Sequence, residues 1–77
     1  MPDLTPDQVA MVEKLFTYHP PKDHDQVRRY ERLRTAAKVF ALEILCSTPA
    51  CADQTAAIRK VREAVMTANA AIACEEA

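Results

Sequence analysis

Apolar residues return at spacings of three and four in three stretches of the chain, and polar or proline-bearing joints separate the stretches. Val9, Val12, Leu15 and Phe16 form the first stripe. Val27, Tyr30, Leu33, Ala37, Phe40, Ile44 and Leu45 form the second, and Ile58, Val61, Val65, Ala68 and Ile72 the third. That interval is the period of one helix face, whereas a half-buried strand alternates every second residue. The pattern therefore predicts an all-α chain, a single domain over residues 1–77, with helices over about 6–18, 24–46 and 52–74 and no strands.

Local signals set the ends. In Thr5-Pro6-Asp7-Gln8, Thr5 is a natural cap, Pro6 suits the first helical position and Gln8 completes a capping box. His19-Pro20-Pro21 removes amide donors and forces extended backbone before each proline, so the first helix has to stop near Tyr18. The second helix begins at Asp23 or Asp25 and ends at Ser47-Thr48-Pro49-Ala50. So short a joint favours an antiparallel return, giving a short N-terminal helix followed by a helical hairpin. The third helix carries a second face of small residues, Ala57, Ala64 and Ala71, which permits close helix approach and is a candidate contact for another subunit.

Length sharpens that last point. A chain of 77 residues buries only about 60% of the surface its unfolded form exposes, so self-association would supply missing burial. With 49% apolar and 27% charged residues the chain belongs among folded rather than disordered sequences. The net charge of −1 and the lack of one long basic run argue against coating DNA, while leaving room for a small anionic ligand. Met1-Pro2-Asp3-Leu4 has neither a basic leader nor a long apolar stretch, and no segment approaches the roughly 20 apolar residues of a membrane span, so a cytoplasmic location without membrane attachment is expected.

Cys46, Cys51 and Cys74 form no C-x-x-C pair, and His19 and His24 stand far from them in sequence. Reduced thiols and no metal site are expected. The complete absence of glycine removes the usual phosphate-cradling loop.

Candidate chemistry gathers at two places. Tyr18-His19-Pro20-Pro21-Lys22 fixes an aromatic ring, an imidazole and a cation on a stiff corner, where Tyr18 can stack on a base and Lys22 can meet a phosphate. The plainer alternative has Tyr18 packed on the hairpin and His19 capping a carbonyl. From Lys22 to Lys38 six cations face three carboxylates. Among them Arg34 and Lys38 lie four apart on one face and suit an anion, with a solvated charged face as the alternative. Farther on, Asn69 sits among small side chains and needs a partner in a ligand, a neighbouring subunit or another helix. Catalysis is not expected: Cys46 and Cys51 lack a base partner, Asp23 and Asp25 suit helix capping, and Glu75-Glu76 reads as a frayed tail. No cofactor is expected either.

Three blocks in order, Phe16-Thr17-Tyr18-His19-Pro20-Pro21-Lys22, Arg29-Tyr30-Glu31-x-Leu33-Arg34 and Ala64-Val65-Met66-x-Ala68-Asn69-Ala70-Ala71-Ile72-Ala73, resemble the small phage proteins of the anti-CBASS and anti-Thoeris sponge family. The resemblance covers about Phe16 to Ala73 and implies a homohexamer of helical hairpins. Such a hexamer would hold cyclic dinucleotides and, in separate pockets, cyclic trinucleotides, without cleaving them, in the cytoplasm of the infected bacterial host. It implies Tyr18 as the base-stacking residue, Arg34 and Lys38 as phosphate contacts, Thr35 as a hydroxyl partner, and His19, Pro20 and Lys22 as the rim. Arg59, Arg62 and Asn69 are weaker candidates for a second pocket. One departure is Cys51, which stands where a serine-like cap is expected and leaves the third helix less firmly started. The competing expectations are a sponge for cyclic ADP-ribose signals and a small phage adaptor that binds a host protein through its alanine-rich face.

Overall fold

The computed structural model describes residues 3–77, and these form three helices and no strand: α1 Pro6–Phe16, α2 His24–Ser47 and α3 Ala52–Glu75. α1 carries the full capping box: the Gln8 amide donates to Thr5 Oγ1 at 3.1 Å and the Thr5 amide to Gln8 Oε1 at 2.9 Å. It stops at Phe16, two residues before the expected end at Tyr18. The reason lies in two bonds to its last turn. The Thr17 amide donates to Glu13 O at 3.1 Å, and His19 Nε2–H donates to Lys14 O at 2.8 Å, so the imidazole satisfies a carbonyl that another helical turn would have used.

α2 starts on Asp23, whose carboxylate accepts the Gln26 amide at 2.9 Å. Its end is tied down from within the joint. Thr48 Oγ1–H donates to Ile44 O at 2.6 Å, and Gln54 Nε2 reaches back to Thr48 O at 3.1 Å. α3 starts on Cys51 with no side-chain bond to the helix, the weak cap expected there.

α2 and α3 pack as the hairpin, and α1 touches only α3 among the described residues. Ile58, Val61, Val65, Ala68 and Ile72 are half-buried against Tyr30, Leu33, Ala37, Ala41 and Ile44. Three members of the expected α2 stripe stay exposed: Val27, Phe40 at 58% and Leu45 at 52%. The stripe is wider than one neighbouring helix can cover, since an apolar face of more than about 100° needs contacts on two sides. All four apolar residues of the α1 stripe are exposed as well.

The C-terminal end corrects a second expectation. Glu76 is not frayed: Arg29 holds it with two bonds, Nη1 to Oε2 at 2.7 Å and Nη2 to Oε1 at 2.6 Å, and Gln26 Nε2 adds a third at 3.0 Å. Glu75 meets Lys14 at 3.1 Å, and Cys74 Sγ points at Lys14 O at 3.5 Å, so the end of α3 fastens both α1 and the start of α2. The antiparallel register brings the basic start of one helix against the acidic end of the other.

Only Gln26 and Cys74 are buried among the described residues. The chain is 13 Å thin against lateral extents of 49 and 38 Å, the depth of a single helix layer. Its radius of gyration is 16.7 Å, where a compact chain of this length has about 11.5 Å. Its accessible surface is 6399 Å², against about 4,700 Å² for a compact monomer of this mass.

Candidate functional site

The flat hairpin has two faces. On one, α2 contributes Arg34, Ala37, Lys38 and Ala41, and α3 contributes Ile58, Val61, Arg62, Val65 and Met66, around a shallow groove of about 260 Å³. The floor is aliphatic and the rim cationic. None of the ion pairs among the described residues involves Arg34, Lys38 or Arg62, so three positive heads stand over an apolar floor without a carboxylate to neutralise them. Such a surface suits a ligand that joins anionic groups to flat apolar rings: the guanidinium forks take phosphate oxygens in pairs, and the floor takes the rings.

Sequence spacing placed Arg34 and Lys38 together, but it could not place Arg62 with them. Arg62 was expected beside Arg59 in a second pocket; the hairpin register instead carries it across to Arg34 and Lys38, while Arg59 is exposed outside this groove. Thr35 points elsewhere too, onto an outer surface of α2 with Arg28, Glu31, Arg32 and Ala36, because one residue along a helix turns the side chain by about 100°. Asn69 is half-buried, and its Oδ1 is fully enclosed with no donor in the chain. A buried carbonyl oxygen left so is costly, on the order of 1–3 kcal/mol, unless a partner supplies a donor.

At the corner between α1 and α2, His19, Pro20, Pro21 and Lys22 line a depression of about 290 Å³ with Gln26, Ala73 and Glu76. His19 is occupied with Lys14 O, and the Lys22 amide donates to Gln26 Oε1 at 2.8 Å. Tyr18 is not packed on the hairpin: the residue is 82% exposed.

The residues that sequence reading missed are those holding this corner. The paired hydrogen bond from Arg29, with help from Gln26, draws the Glu76 carboxyl down to about 2, and Glu76 in turn raises Arg29 above its ordinary value. Asp25 is also lowered, first by its bond from Arg28 at 2.8 Å. The missed signal was register: folding the hairpin about its proline joint sets Gln26 and Arg29 opposite the last turn of α3.

The family model for the Acb2/Tad1 hairpin domain matches residues 8–73. The chain belongs to the Acb2/Tad1 hairpin family. The match takes in most of α1, the His19–Lys22 corner, all of α2 and α3 as far as Ala73, so the cationic groove and the corner segment lie within the Acb2/Tad1 domain, while Glu76 lies beyond it. This is the family of anti-CBASS and anti-Thoeris sponges, binding proteins whose anti-defence action is to take up cyclic oligonucleotide signals. No curated protein and no solved structure matches the chain. No helix among the described residues is long and apolar enough to cross a membrane.

Proposed function

We propose that this chain sequesters cyclic dinucleotides, uncleaved, in pockets completed by a second copy, and so deprives a bacterial defence effector of its activator inside the infected cell. The observation that carries the reading is the unpaired triplet Arg34, Lys38 and Arg62 over an apolar floor. A cyclic dinucleotide has two phosphates and two flat bases on a nearly two-fold ring, and a two-fold interface presents such a triplet twice. Size points the same way. Ligand pockets usually enclose about 300–1,000 Å³, and the groove on one chain offers about 260 Å³.

In this reading Arg34, Lys38 and Arg62 hold the phosphates, Tyr18 stacks on a base, and His19, Pro20 and Lys22 form the rim. Gln26 at the corner and Arg34 in the groove are eight residues apart on α2, or about 12 Å along the axis. In the two-fold arrangement proposed here, one copy supplies the stacking ring of a pocket and the other its phosphate contacts. Thr35, on the outer side of α2, serves as a hydroxyl contact only from such a neighbour. Arg59 and Asn69 remain the candidates for a separate pocket that takes cyclic trinucleotides at a three-fold axis of a hexamer.

The test is calorimetry of the unaltered protein against cyclic di- and trinucleotides and the cyclic ADP-ribose isomers, followed by proteolysis and analysis of the released ligand. A dissociation constant near nanomolar, about −12 kcal/mol, is expected for at least one cyclic dinucleotide, recovered intact. Tyr18→Ala should weaken it about 10- to 100-fold, the worth of one stacked base, without lowering the melting temperature, because the ring contributes little to the fold. Flat heats across the panel defeat the reading.

A further inference from the structure

The corner that carries Tyr18 and Lys22 has no regular structure of its own: between the end of α1 and the start of α2, residues 17–23 form neither helix nor strand. An irregular segment keeps one path only where bonds from outside fix it. Here much of the hold comes from one side chain. Gln26 is 4% exposed, and both ends of its amide are used: Oε1 accepts the Lys22 backbone amide at 2.8 Å, and Nε2 donates to Glu76 Oε1 at 3.0 Å. Glu76 is gripped in turn by Arg29, at 2.7 and 2.6 Å. A side-chain amide fits the same space two ways round, and its neighbours decide which. The Glu76 carboxylate has nothing to donate, so it is met by Nε2, and that turns Oε1 toward the Lys22 amide. We propose that Gln26, oriented by Glu76, is a positioning residue that fixes the Tyr18–Lys22 corner for ligand contact before any ligand arrives.

The other end of the corner is pinned to the same turn of α3. His19 Nε2–H donates to Lys14 O, Cys74 Sγ points at that oxygen, and Lys14 Nζ meets Glu75 at 3.1 Å. Tyr18 stands beside this second pin. Glu75 and Glu76 both lie past Ala73, where the family match ends. Burial separates this role from space-filling. An enclosed amide costs free energy unless both its ends are bonded, and an apolar chain of the same size would fill the space without that demand. At its low exposure Gln26 has little surface to offer a ligand, so it acts through the Lys22 backbone.

The inference rests on the sponge reading, which gives the corner its task, and adds the residue that sets the corner's geometry. A segment ordered beforehand spares the binding step the cost of ordering it.

Gln26→Met tests it. Methionine has nearly the same length and suits a helix, leaves the Asp23 cap and the Arg29–Glu76 pair in place, and removes both side-chain bonds. In the unliganded protein, NMR relaxation of the Tyr18, His19 and Lys22 amides is expected to show a loosened corner, with helicity retained by circular dichroism. Calorimetry with cyclic GMP-AMP, or with another cyclic dinucleotide that the unaltered chain takes up, is expected to show binding weakened about 10-fold. Most of that loss should vanish when Tyr18→Ala is already present, because a ring that is gone cannot be misplaced; a merely structural loss would add in full. Should Gln26→Met lose helicity, Glu76→Ala takes its place under the same measurements. An equally ordered corner in the folded variant, a loosened corner with unchanged affinity, or full additivity with Tyr18→Ala overturns the proposal. Flat titrations of the unaltered protein sink the sponge reading instead, while the relaxation of the corner decides apart from any ligand whether Gln26 orders it.

Discussion

At the scale of single residues, Glu76 shows how a small chain can depend on its last turn. Its carboxylate accepts three hydrogen bonds, two from Arg29 and one from Gln26, and these hold it at about 2 against an ordinary 4.5. A group whose folded value is depressed contributes stability that is fully present above its unfolded value and disappears as pH falls through the folded one. The contact should therefore act fully above about pH 4.5 and be lost between there and about pH 2. Both side chains keep contact with solvent, at 35% and 40% exposure, so screening makes the effect modest. Melting temperatures of the unaltered chain and Glu76→Gln, measured from pH 7 to pH 2, should differ by a few degrees at neutrality and converge at the acid end. Parallel curves would show that the contact contributes nothing. None of this was legible in the sequence, where two terminal glutamates look like a loose end. Hydrogen-bond partners fifty residues apart become visible only once the register of the hairpin is known.

The elements themselves were nearly all legible, because their ends are written in short-range chemistry. Thr5 with Gln8, Asp23, and the prolines at 20, 21 and 49 each act within four residues, and the helices begin and end beside them. The overshoot at α1 came from a competing local bond: His19 reaches back to Lys14 O and ends the helix a half-turn early. What periodicity could not give is which apolar residues find cover. It marks a stripe, and Phe40 and Leu45 belong to the stripe yet stay more than half exposed. The start of α3 offers a test at this scale. Cys51 occupies the cap with extended backbone and no side-chain bond. Gln54, three residues on, is placed for a capping box but binds Thr48 instead. Cys51→Ser supplies the missing acceptor for the free amides and should stabilise the fold by about 1 kcal/mol. For a chain of this size that is a rise of roughly 4–8 °C in melting temperature. An unchanged or lower value would mean that the joint is already satisfied by Gln54.

For the whole molecule, the hairpin register decides which cations act together. Arg59 and Arg62 are close in sequence, and Arg34 and Lys38 are remote from both; the fold keeps Arg62 with the remote pair and leaves Arg59 out. Arg62→Ala should accordingly weaken cyclic dinucleotide binding as much as Arg34→Ala, about 10-fold or more for a charge-assisted bond of 1.5–3 kcal/mol, while Arg59→Ala leaves that binding unaltered. Equal losses from Arg59→Ala and Arg62→Ala would return the two to a shared pocket. The same flat shape bears on stability. A layer 13 Å thick with two buried residues among those described has almost no interior of its own, and 13 Å is hardly more than one helix diameter. Folding free energy that a larger domain draws from its core must come here from contact between copies, and contact between copies obeys mass action. If association supplies it, raising the protein concentration 100-fold adds on the order of 2.7 kcal/mol for each copy bound and moves the melting transition upward by about 10 °C or more. Scanning calorimetry from micromolar to hundred-micromolar chain measures this directly. A midpoint that stays fixed over that range would mean that the two long helices hold together unaided, and the exposed apolar faces would then need a different explanation.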